Sequence, residues 1–122
     1  MEIGEKLHTN SRQEWRDWLS DHHGDKTEIW LVLYKSTSGK RPITLREAMD
    51  EALCFGWIDS ILKPMDEERY ALRFSPRRAK SRWSDTNKAR ALSLLREGRM
   101  TPSGMALLPP DLIEQWEEEN QR

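Results

Sequence analysis

Six consecutive residues, Ile29 to Tyr34, are apolar in a chain that is otherwise strongly polar. A strand with apolar side chains on both faces is typical of the interior of a covered sheet. Few other segments can supply such a strand, because 34% of the residues are charged and only 36% are hydrophobic. The sequence therefore predicts that the strand Glu28–Lys35 is central and that the sheet packs around it.

Capping residues predict where four helices begin. A Ser/Thr-x-x-Glu pattern lets the hydroxyl and the carboxylate each accept a hydrogen bond from an amide of the first turn. This pattern occurs twice, and two further hydroxyl residues precede helical stretches, the second of them followed by proline at the first helical position. The predicted helices begin after Ser11, Thr44, Ser84 and Thr101. Trp15 and Trp18 fall on the apolar face of the first helix, and with Trp30 they are expected in the core.

Two further strands, Trp57–Lys63 and Arg69–Ser75, are joined by a short acidic turn and are expected to form an antiparallel hairpin. The pattern as a whole predicts an α+β fold, in which a small antiparallel sheet of about three strands is covered by three to four helices. Residues 1–108 are expected to form a single domain. Residues 109–122 are expected to form an acidic C-terminal tail that is helical.

The chain has the commonest size for one domain, with 122 residues. Its single cysteine, Cys54, cannot form an intrachain disulfide, and it lies on the core face of the second helix, so we expect a buried structural thiol. The start of the chain is polar and lacks the apolar run of a secretory signal. No apolar stretch approaches the roughly 20 residues of a membrane helix. We therefore expect a cytoplasmic protein without membrane insertion.

Charge is unevenly distributed along the chain. Residues 73–99, here called the basic segment, hold nine cations and two anions, whereas residues 111–122 hold five acids and one cation. A basic loop that runs into a helix N-terminus favours an anion, because the helix dipole and the arginine donors act together. Trp57 and Trp83 could form walls of such a site, and Tyr70 and Trp83 could stack on a base. The candidate ligand-binding residues are Trp57, Tyr70, Arg73, Arg77, Arg78, Lys80, Arg82, Trp83, Ser84 and Asn87.

The leading functional hypothesis is a non-enzymatic binding module for a phosphate or nucleic-acid-like ligand. An alternative is an enzyme that acts on an anionic small molecule with Asp59 as acid or base. For Asp59, however, pairing with Arg73 or Arg77 across the hairpin is preferred. A third hypothesis is a protein interaction domain whose basic segment docks an acidic partner or the acidic tail of another copy. The histidines show no metal-ligand spacing, so no cofactor and no metal are expected.

Several blocks occur in a fixed order along the chain: Trp30 with Lys35, residues 52–59 (ALCFGWID), residues 73–77 (RFSPR), residues 81–84 (SRWS) with Asn87, and residues 97–100 (EGRM). Together these blocks resemble the YdeI/OmpD-associated family. The resemblance covers about His8 to Leu108 and implies a small bacterial domain associated with bacteriocin protection or an outer-membrane porin. It would give importance, without a catalytic role, to Trp57, Asp59, Arg73, Arg77, Trp83, Ser84 and Asn87. The chain departs from the family after Leu108, where an acidic tail follows two prolines.

Overall fold

The computed structural model describes residues 2–121, so Met1 and Arg122, the ends of the predicted domain and tail, lie outside the described residues. The strands are β1 (Lys6–Leu7), β2 (Ile29–Tyr34), β3 (Trp57–Pro64) and β4 (Arg69–Pro76). The helices are α1 (Arg12–His22), α2 (Leu45–Cys54), α3 (Asp85–Arg96), α4 (Pro102–Met105) and α5 (Pro110–Asn120), with a short 3-10 helix at Ser36–Ser38. The predicted α+β class is confirmed. Within residues 2–121, no helix combines the length and apolar character needed to cross a bilayer.

The described residues form one four-stranded sheet in the order β1-β2-β4-β3. The antiparallel β3–β4 hairpin and the interior position of β2 are confirmed. Three strands pair antiparallel, and the short additional strand β1 pairs in parallel with β2. Strand β1 has only two residues, which are too few to show an alternating pattern. The sheet as a whole is mixed, with β1 at one edge and β3 at the other.

Helices α1 and α2 begin where their caps predicted. Thr44 Oγ1 accepts from the Glu47 amide at 3.1 Å, and Glu47 Oε1 accepts from the Thr44 amide at 2.9 Å. At α1 the Ser11 hydroxyl accepts from the Glu14 amide at 3.1 Å. The indole of Trp15 is fully buried and donates to the carbonyl of Ala48 at 2.9 Å. This bond joins α1 to α2 and satisfies the polar atom of a large core side chain.

Helix α4 lies against the end of α2 through an unusually close backbone approach. The Thr101 hydroxyl donates to the Cys54 carbonyl oxygen at 2.6 Å. A Cβ atom added to Gly104 would lie 2.2 Å from the same oxygen, so only glycine fits there. The last helix, α5, buries Leu112 and forms a two-pronged ion pair between Glu119 and Arg96 of α3 at 2.5 and 2.9 Å.

A fully buried carboxylate, Glu51 of α2, is held by three arginines that the sequence did not indicate. Its Oε2 accepts from Arg12 Nε at 2.5 Å and from Arg99 NH2 at 2.8 Å, and its Oε1 accepts from Arg16 NH1 at 2.7 Å. Arg16 also donates to the carbonyl of Arg99 at 2.9 Å. We call these four residues the Glu51 cluster. It links α1, α2 and the segment before α4 within the interior.

Candidate functional site

A narrow cleft opens where α2, α3, the start of β3 and the residue after β4 meet. Its lining residues are Met49, Asp50, Leu53, Trp57, Ile58, Asp59, Arg77, Asn87 and Arg90. We call it the Arg77 cleft. Its volume is about 20 Å³, which is room for roughly one water molecule or one oxygen atom of a larger ligand.

Local backbone geometry brings the walls of the cleft together. Gly56 has φ of +76°, a left-handed conformation that turns the chain from the end of α2 directly into β3. The carbonyl of Gly56 accepts from the Arg77 amide at 2.8 Å. This bond fixes Arg77, just after β4, beside Trp57 at the start of β3. Ser84 begins α3 by accepting from the Asn87 amide at 3.1 Å, which places Asn87 in the first turn.

Arg77 is the most unusual residue of the cleft, since it is only 6% exposed. Its guanidinium stacks on Trp83, with Cζ 3.9 Å from the ring centroid, and NH2 donates to the Arg82 carbonyl at 3.1 Å. Its Nε is buried without a hydrogen-bond partner, and none of the carboxylates in residues 2–121 forms a salt bridge with it. Burial lowers the pKa of Arg77, although a guanidinium stays charged in proteins. The cleft therefore contains a buried cation that forms no salt bridge with a carboxylate of residues 2–121.

Two carboxylates also line the cleft. The side chain of Asp50 is 14% exposed, and its Oδ2 lies 3.7 Å from Arg46 Nε. Its Oδ1 is buried without a hydrogen-bond partner. Burial raises the pKa of Asp50, and the nearby positive charges of Arg46 and Arg90 counteract that rise only in part.

Asp59 is half-buried, and the predicted pairing was wrong, since within residues 2–121 Asp59 forms no salt bridge with Arg73 or Arg77. Asp59 lies opposite Phe74 in the β3–β4 register, so the two side chains share one face of the sheet. Arg73 is the neighbour of Phe74 along β4 and therefore points to the other face, where it pairs with Glu28. The strand alternation thus separates Asp59 from Arg73.

The structure divides the remaining candidate residues into groups. The cleft is lined by Trp57, Asp59, Arg77 and Asn87. Trp83 stacks on Arg77, and Ser84 caps the helix that carries Asn87. Tyr70 and Arg73 lie elsewhere: Tyr70 lines a separate groove of about 260 Å³ with residues that include Leu33 and Ile43. The exposed cations just after Arg77 in the basic segment are Arg78, Lys80 and Arg82.

The sequence did not point to Asp50 or Arg90. Arg90 follows Asn87 by three residues and so shares its face of α3, a spacing that could have revealed it. Its NH1 lies 3.8 Å from Met49 Sδ across the cleft. Asp50 lies on α2, and nothing in the sequence says which face of α2 meets α3. The predicted buried thiol of Cys54 is confirmed, and burial raises its pKa to about 11, which makes it a poor nucleophile.

Comparison with known proteins gives one family match. The family is described as a domain of unknown function (DUF8412), and it matches residues 7–107. This finding corrects the resemblance to the YdeI/OmpD-associated family, and the associations with bacteriocin protection and a porin fall with it. No curated protein and no solved structure matches the chain. The matched span contains every residue of the Arg77 cleft and ends before α5.

Proposed function

The chain belongs to the family described as a domain of unknown function (DUF8412), and we propose that it is a binding module for a small oxyanion such as phosphate. The observation that carries this proposal is the buried guanidinium of Arg77 without a carboxylate partner among residues 2–121. Buried charges in proteins are normally paired, because removing an ion from water costs several kcal/mol. An oxyanion would supply the missing partner.

The contacts of Arg77 within the chain offset only part of this cost. A cation over an indole ring gains about 0.5–2 kcal/mol, and the single bond to the Arg82 carbonyl adds about 1 kcal/mol. By contrast, Arg99 also has a buried Nε without a partner, but its NH2 is neutralised by Glu51 at 2.8 Å. Arg77 therefore differs from Arg99 in that no carboxylate of residues 2–121 pairs with its guanidinium.

Three further features support an oxyanion as the ligand. Asn87 lies in the first turn of α3, where the helix dipole favours negative charge. The 20 Å³ of the cleft admits one oxygen atom and would leave the rest of the ligand outside. The exposed cations that follow Arg77 in the chain add long-range attraction for anions.

A small oxyanion is better supported than a single-stranded nucleic acid. Sequence-independent binding of single strands uses aromatic rings on which bases stack. One face of Trp83 is already covered by Arg77, and Tyr70 lines a different groove. The predicted pair of stacking rings therefore does not converge on the cleft.

Isothermal titration calorimetry with inorganic phosphate at low ionic strength tests the proposal. We expect saturable binding by the wild-type protein and a loss of about tenfold or more in Arg77→Gln, because a charge-assisted hydrogen bond contributes about 1.5–3 kcal/mol. Arg41→Gln is the matched control, since it removes the same charge from an exposed position outside the basic segment and outside the Arg77 cleft. No saturable binding at millimolar phosphate, or an equal loss in both variants, would refute the proposal. Far-UV circular dichroism verifies that each variant is folded.

One observation favours an enzymatic alternative, namely that Asp59 lines the same cleft as Arg77 and Asn87. In this alternative Asp59 serves as the acid or base on an anionic substrate that Arg77 orients. Asp59→Asn would then retain phosphate binding and abolish turnover of a phosphate ester such as p-nitrophenyl phosphate.

The interaction-domain alternative has less support, since two acids of α5 already pair within the chain. Glu119 pairs with Arg96, and Asp111 lies 3.9 Å from Lys88.

A further inference from the structure

Two residues that line the Arg77 cleft carry buried polar atoms with opposite requirements. The Nε of Arg77 is a donor without an acceptor, and the Oδ1 of Asp50 is an acceptor without a donor. Leaving either atom unpaired costs about 1–3 kcal/mol or more, since both belong to charged groups. A ligand that satisfies both atoms must accept a hydrogen bond and also donate one.

Oxyanions differ in this respect. Sulfate and carboxylate anions carry no proton at neutral pH, so they can only accept hydrogen bonds. Hydrogen phosphate and the monoanion of a phosphate monoester carry a P–OH group in addition to ionised oxygens, because the second pKa of a phosphate is about 6–7. The P–OH oxygen of such a ligand can accept from a guanidinium and donate to a carboxylate at the same time.

The charges of the residues that line the cleft also favour a protonated oxyanion over a fully ionised one. Two cations, Arg77 and Arg90, line the cleft together with two carboxylates, Asp50 and Asp59, so the lining side chains are neutral overall. A fully ionised anion would gain from the arginines but would be repelled by both carboxylates. A proton on the ligand converts one of these repulsive contacts into a hydrogen bond, which is stronger than usual because one partner is charged.

We infer that the Arg77 cleft selects a protonated oxyanion, that is hydrogen phosphate or the monoanion of a phosphate monoester, over sulfate. Asp50 is the discriminating residue, and Asp59 adds to the rejection of fully ionised anions. This inference rests on the proposed oxyanion-binding function.

A single water molecule is the competing occupant. Water also donates and accepts, and one molecule fills about the volume of the cleft. A phosphate oxygen has to displace that water and offer the same two hydrogen bonds, which sulfate cannot do. Water alone therefore predicts no measurable affinity for any oxyanion, whereas the inference predicts a clear preference.

The test is a pair of calorimetric titrations, with sodium phosphate and with sodium sulfate, at pH 6.5 and equal ionic strength. We expect the wild-type protein to bind phosphate about tenfold or more tightly than sulfate, the discrimination expected of one charge-assisted hydrogen bond. In Asp50→Asn the side-chain amide can donate to sulfate, so the ratio of the two dissociation constants should fall to within about threefold of one. Asp21→Asn, an exposed change on α1, controls for the lost charge and should keep the wild-type ratio.

The outcomes separate the inference from the proposed function. Equal affinities of the wild-type protein for phosphate and sulfate would overturn the selectivity but leave oxyanion binding intact. Absence of binding to both anions would overturn the proposed function itself and indicate water alone. An Asp50→Asn variant that still prefers phosphate about tenfold would show that Asp50 does not discriminate and would also overturn the inference. Because the wild-type ratio needs no variant, the test does not depend on the folding of Asp50→Asn.

Discussion

Replacement of Glu51 by glutamine should destabilise the fold strongly. The carboxylate is fully buried and lies between the guanidinium groups of Arg12, Arg16 and Arg99. Glutamine preserves the volume but removes the only negative charge of the Glu51 cluster, so three cations would remain close together. One of its two terminal atoms would also become a donor that faces donors.

The expected magnitude follows from the environment of the arginines. Removing one partner of a buried ion pair costs about 3–5 kcal/mol. The arginine side chains are 23–33% exposed, so water can partly solvate them and the lower value is expected. An unfolding entropy of roughly 2.1 cal/mol/K per residue converts about 3 kcal/mol into a decrease in Tm of about 12 °C for this chain length.

The effect should depend on pH in a defined direction. Burial alone would raise the pKa of Glu51, but the hydrogen bonds from Arg16, Arg12 and Arg99 outweigh it and hold the pKa below its ordinary value. A group with a lowered pKa in the folded state stabilises the fold above its unfolded pKa of about 4.3. This stabilisation is lost as the pH falls through the lower folded-state value. Wild-type and Glu51→Gln proteins should therefore differ most at pH 6–7 and converge in acid.

Urea denaturation followed by tryptophan fluorescence at several pH values measures this difference. Glu118→Gln, on the exposed surface of α5, is the control and should change the free energy of unfolding by less than about 0.5 kcal/mol. The reasoning would be refuted if Glu51→Gln lost less than about 1 kcal/mol at pH 7, or if its deficit were the same at pH 7 and in acid.

Three further outcomes test other features. Gly104→Ala should lower the free energy of unfolding by about 2 kcal/mol or more, whereas Gly24→Ala, with open space around its Cα, should be nearly neutral in the same urea titration. With the thiol pKa of Cys54 near 11, a disulfide reagent at pH 8 should label it only on unfolding, and fast labelling of the folded protein would contradict its burial. Trp83→Leu should weaken phosphate binding several-fold by freeing the guanidinium of Arg77, and calorimetry showing unchanged affinity would argue against the stack as a positioning contact.

The parts of the fold that local chemistry determines were predictable. Thr44 and Glu47 mark the start of α2 because the two residues of a capping box lie only three positions apart in the sequence. Strand β1 was not predictable, since two residues carry no periodicity and pairing with β2 decides their conformation. Glu51 has the ordinary appearance of a surface residue in a helix. Its burial depends on arginines 35–48 residues away, which no local pattern can reveal.

The candidate site was predictable only as far as chain order determines it. Arg77 and Asn87 fall in the basic segment and at the start of α3, so the sequence brings them near one another. Arg73 belongs to the same charge run, but the register of β4 directs it to the opposite face, and the sequence alone did not give that register relative to the helices. To predict that Asp50 lines the cleft, one must know which face of α2 packs against α3, and tertiary packing decides that.

The buried charge of Arg77 also has a consequence for the stability of the protein and its resistance to proteolysis. A ligand that binds only the folded chain raises its stability by about 2.7 kcal/mol at one hundred times its dissociation constant. An empty cleft leaves the cation uncompensated, so the unoccupied chain should open and be degraded by proteases more readily than the occupied one. The lifetime of the protein would then increase with the concentration of free oxyanion. A single arginine would thereby link the rate of protein degradation to the availability of the ligand.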